Sequence, residues 1–82
     1  MRHKWSTEEG IHVLINANDG KRILAFIGQV GEGFALKIPY LLWDRDIKNF
    51  QNASIYNSLE EAKIVAEKEI KRRIAGFISP AV

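Results

Sequence analysis

The side chains able to take part in chemistry are few in this chain, and nothing in their spacing gathers them. There are two histidines, His3 and His12, and no cysteine. Asp44 and Asp46 flank Arg45, and three cations follow one another at Lys71, Arg72 and Arg73. Acid–base or nucleophilic catalysis needs titratable groups converging on one point, whereas His3 precedes the first patterned segment and His12 falls in a predicted strand. No His-Glu-x-x-His, Gly-x-Ser-x-Gly or phosphate-loop lysine pattern occurs. The run from Ile27 to Lys37 outlines a kinase-type glycine loop followed by a strand lysine, but the third glycine of that pattern is missing and the hairpin uses every glycine in the run. Asp19, Asp44 and Asp46 lack calcium-loop spacing, and the absence of cysteine removes thiolate zinc sites and disulfide frameworks. The expectation is a non-enzymatic protein with no cofactor and no metal. His12 beside Lys37 across a sheet is read as a structural pair.

The elements that would position these groups begin with Ile11 to Ile38, where apolar and polar residues alternate as strands require. Asp19-Gly20 predicts a two-residue hairpin turn, which sets Ile15 against Leu24, Val13 against Phe26 and Ile11 against Gly28. For the turn containing Gly31-Glu32-Gly33, a three-residue loop keeps one face apolar, with Phe34 opposite Val30, Leu36 opposite Gly28 and Ile38 opposite Phe26. The predicted core face is then Ile11, Val13, Ile15, Leu24, Phe26, Val30, Phe34, Leu36 and Ile38. The opposite face is His12, Leu14, Asn16, Ile23, Ala25, Ile27, Gln29, Ala35 and Lys37. That second face carries too many apolar residues to lie bare in water.

Residues 1–9 read as an N-terminal arm in which Ser6 and Glu9 have capping-box spacing and Trp5 lids the core edge. Residues 39–52 form an aromatic insertion, with Tyr40, Trp43 and Phe50 suited either to packing over the second sheet face or to partner contact. Ala53-Ser54-Ile55-Tyr56 reads as a short fourth strand between asparagines. Ser58-Leu59-Glu60-Glu61 is a capping box that opens a helix. Leu59, Ala62, Ala66, Ile70 and Ile74 share one of its faces, and the basic triplet complements its C-terminal carbonyls. Residues 77–82 form an apolar tail, and Ile64 points away from the buried stripe.

Eighty-two residues make one domain, 1–82, with little margin of core. The fold class expected is α+β: an antiparallel β-meander of three to four strands with one C-terminal amphipathic helix packed on one face. A net charge of +2 is too small to imply nucleic acid, and no long apolar run implies a membrane, so a cytoplasmic protein is expected. Small chains of this kind occur as accessory or inhibitor proteins of phages and mobile elements. The expected function is docking to another protein, or to a second copy of the chain, through Leu14, Ile23, Ile27, Lys37, Tyr40 and Trp43.

The strand-to-helix junction Tyr56-Asn57-Ser58-Leu59-Glu60-Glu61-Ala62 resembles the Phe-x-Thr-x-x-Glu-Ala turn of phage-integrase arm-binding domains. The resemblance implies, as an alternative, DNA binding by a three-stranded sheet in the major groove, with contacts from Lys21, Arg22, Lys37, Arg72 and Arg73. It covers only this junction. The free face here offers Leu14, Ile23, Ala25 and Ile27, where base readout requires polar donors.

Overall fold

Two adjacent residues with positive φ, Glu9 at 51° and Gly10 at 80°, make the type I′ geometry that matches strand twist. They close a hairpin between β1 (His3–Glu8) and β2 (Ile11–Asn16), with Glu8 opposite Ile11 and Trp5 opposite Leu14. The expected N-terminal arm is therefore a full edge strand. Ser6 and Glu9 cap no helix, because the glycine that could end a helical turn instead forms this hairpin.

β3 (Asp19–Val30), β4 (Gly33–Lys37), β5 (Ser54–Tyr56) and α1 (Leu59–Arg73) follow. The computed structural model describes residues 3–16, 19–39 and 50–74, and the side chains at 16 and 19–22 lie outside the described set. The strands form one antiparallel sheet in the order β1-β2-β3-β4-β5, and the helix packs on it. Among the described residues no helix is long and apolar enough to cross a membrane.

Val13 lies opposite Phe26, as expected, but the register shifts twice towards the turn and Asn16 meets Asp19. A turn at Asp19-Gly20 is thereby ruled out. One shift leaves Leu24 as an extra residue beside Ala25, as a β-bulge does, and both join the core beneath the helix.

The next turn corrects the sequence reading most. Val30 pairs with Gly33 and Phe26 with Lys37, so the loop is the two residues Gly31-Glu32. Gly31 has φ 63°, which suits the first central position of a II′ turn. A one-residue change in register turns every side chain of a strand over. Phe34 and Leu36 consequently join Leu14, Ala25 and Ile27 on the helix face, while Ala35 and Lys37 lie on the side of Phe26.

The helix starts at the expected N-cap, Ser58. The Ser58 hydroxyl accepts from the Glu61 amide at 3.1 Å, and Ala62, Ala66 and Ile70 are buried. The two alanines bring the helix close over Leu14, Leu24, Ile27 and Leu36. On the reverse of the sheet a second cluster, Ile11, Val13, Ile15 and Phe26, is also buried, with Ile23 and Phe50 packed against it.

Candidate functional site

The helix lies on the very face from which a partner surface was expected. Leu14 and Ile27 are fully buried beneath it, which corrects their assignment as docking residues. The cause is the β4 register, because the side holding Leu14 and Ile27 also collects Phe34 and Leu36. Ile23 is half-buried against the second cluster, and Lys37 donates from Nζ to the Gln51 carbonyl at 3.0 Å. Tyr40 and Trp43 lie outside the described residues, as do Asp44, Asp46, Gly76 and the tail 77–82. Lys37 and His12 stand on opposite faces, so the His12–Lys37 pair does not form.

Phe50 explains part of the cover on the reverse face. A β-turn, Ala53 N–H to Phe50 carbonyl at 3.1 Å, has Asn52 at φ 62°, a conformation asparagine tolerates. It aims the Phe50 ring edge-on at Phe26, 5.3 Å between centroids. A methyl group at Gly28 would fall 2.3 Å from Cζ of that ring. This glycine makes room for an aromatic lid.

An accessible groove lies at the β5 edge. Between the C-terminal half of α1 and the ends of β4 and β5 runs an open groove of about 780 Å³. Leu36, Ile38, Tyr56 and Val65 give it an apolar lining, and Lys37, Glu69 and Arg73 supply charge. Glu69 also holds Arg72 at 2.8 Å. On the other side of the sheet, Ile55 of β5 is 58% exposed and Val30, at the end of β3, 48%; Ile55 leans over Gly33, where an added methyl would lie 2.6 Å from its Cγ2.

A polar cluster lies elsewhere under the helix. Trp5 Nε1 donates to the buried Glu67 carboxylate at 3.2 Å, and Lys63 Nζ stands 5.4 Å from the Trp5 ring centroid. His12 Nδ1 lies 3.5 Å from the Thr7 hydroxyl. Burial, and then the positive charge of Lys63, lowers the His12 pKa below the usual imidazole value, so the ring is neutral at pH 7. The sequence reading missed Glu67; the signal available was the indole N–H of a lidding tryptophan, which needs an acceptor when it packs against a core.

Among the described residues no three histidine, aspartate or glutamate side chains gather as a metal site. Of the cations considered for DNA, Lys21 and Arg22 belong to β3 with side chains outside the described set, while Arg72 and Arg73 stand exposed at the end of α1. No protein-family model, curated protein or solved structure matches this chain.

Proposed function

We propose that this chain is a non-enzymatic protein-interaction module that receives an apolar segment of another protein in the groove between α1 and the β4–β5 edge. The observation that carries this reading is the groove: about 780 Å³, floored by Leu36, Ile38, Tyr56 and Val65 and charged at its margins. That volume falls within the range of ligand-binding clefts, which combine apolar walls with a few polar groups. The three residues of β5 form a sheet edge, to which an extended peptide can add main-chain hydrogen bonds. The docking surface thus moves from the sheet face to the sheet edge. The DNA-binding alternative gains no comparable support, because a sheet entering the major groove needs an open face and here Phe50 and α1 lie on opposite sides of it.

Selection from a random peptide library, followed by amide chemical-shift mapping, tests the reading. Peptides rich in apolar residues should move the Leu36, Tyr56 and Val65 signals, and Val65→Arg should weaken them about tenfold or more while Ile64→Ser on the outer helix face leaves binding intact. Selected peptides that bind Val65→Arg as tightly as the parent protein would remove the groove as the site.

A further inference from the structure

We propose that β1 is a self-association edge, at which two copies of the chain join their sheets by antiparallel β1–β1 pairing about a two-fold axis through Ser6. The strand is six residues long and pairs only with β2 among the described elements. Its hydrogen-bonding direction follows from the hairpin. In a two-residue turn the flanking pair, here Glu8 and Ile11, exchanges both main-chain bonds, and the pattern then alternates. Lys4, Ser6 and Glu8 therefore direct their amides and carbonyls towards β2, and His3, Trp5 and Thr7 direct theirs outward.

A second copy can pair only by matching outward positions with outward positions, which restricts a two-fold arrangement within the strand to axes through Lys4, Trp5, Ser6 or Thr7, and the first of these sets Lys4 against itself. An axis through Trp5 puts Lys4 opposite Ser6, and one through Thr7 puts Glu8 opposite Ser6. Only the axis through Ser6 puts Lys4 of each copy opposite Glu8 of the other, on one face and in both halves. Both side chains are exposed, and opposite charges directly across a strand pair stabilise it while like charges oppose it. In the same register Trp5 of each copy exchanges its main-chain bonds with Thr7 of the other. The two-fold closes the assembly, whereas pairing β1 to the β5 edge of the next copy would be head-to-tail and open-ended. This inference stands apart from the groove reading, since β1 and β5 bound opposite sides of the sheet.

Sedimentation equilibrium of the full chain across a concentration series provides the test. The parent protein should approach twice the monomer mass, and Lys4→Glu and Glu8→Lys should each weaken association about tenfold, because each sets like charges across the junction. An equimolar mixture of the two variants should associate again, since one copy then carries glutamate at both positions and the other lysine at both, and each half of the junction pairs opposite charges. The Trp5 and Thr7 amides should become protected from hydrogen exchange as concentration rises. A parent protein that stays monomeric at millimolar concentration overturns the proposal. So do single variants that associate like the parent, a mixture no better than its components, or Trp5 and Thr7 amides whose exchange ignores concentration.

Discussion

His12 shows how one side chain reports its surroundings. It sits in β2 with Thr7 beside it and the Lys63 ammonium acting across the helix–sheet junction, and burial together with that charge disfavours its protonated form. A group whose folded pKa lies below its unfolded value binds protons more readily when unfolded, so stability rises with pH across that interval. The contribution is complete above the ordinary imidazole value of 6.5 and is lost as pH falls below it towards the folded pKa. An NMR titration of the His12 ring should give a midpoint under 6.5, and Lys63→Met should raise it without restoring the ordinary value, because burial remains the larger cause. A midpoint unmoved by Lys63→Met would show that the lysine charge does not reach the ring.

At the scale of elements, legibility depended on how local the signal was. Ser58 and Glu61 announce the helix, and the stripe Leu59, Ala62, Ala66, Ile70 gives its buried face, because capping and 3.6-residue periodicity are contained within a few turns. The pairing of Val13 with Phe26 was reached from a turn at Asp19-Gly20 that does not form, and it agrees because the two register shifts between Leu14 and Asn16 offset the different turn position. The β3–β4 register was not, since Gly31-Glu32-Gly33 accommodates loops of two or three residues and both leave an apolar face on a strand pair that is apolar on both sides. The criterion of keeping one face apolar failed because the Lys37 stem, opposite Phe26, can lie along the sheet while Nζ reaches the Gln51 carbonyl. The groove was illegible too, as it joins residues from β4, the 50–53 turn, β5 and α1. That turn offers a test of the second face. Gly28→Ala would drive a methyl group into the Phe50 ring and should cost about 1–3 kcal/mol through overpacking. Trimming the ring in Gly28→Ala/Phe50→Leu should recover part of the loss, a coupling that denaturant melts of the four proteins would measure. Additive losses would mean that Phe50 does not lie over Gly28 in solution.

For the whole molecule, the consequence of a sheet apolar on both sides is that a small chain carries two buried clusters sharing two strands, β2 and β3. The Cα radius of gyration, 11.6 Å, is close to the roughly 12 Å expected of a compact chain of this length. β3 supplies Ala25 and Ile27 to the helix side and Phe26 to the reverse, and its backbone cannot release one without tilting the others. Cooperativity should therefore run through the sheet. Phe26→Ala removes a fully buried ring that touches no helix-side cluster, and a loss of about 3–5 kcal/mol is a large part of the roughly 5–15 kcal/mol typical of a domain. If the two clusters form one unit, the helix signal at about 222 nm should melt at a much lower temperature in Phe26→Ala, in step with amide exchange in β2 on both sides of the sheet. If the helix-side cluster instead held independently, the helix melt would stay near that of the parent while only the Ile11, Val13 and Ile15 environment loosened. The shared strands argue for the first outcome, because adjacent side chains of β2 and of β3 anchor opposite faces through single runs of hydrogen-bonded backbone.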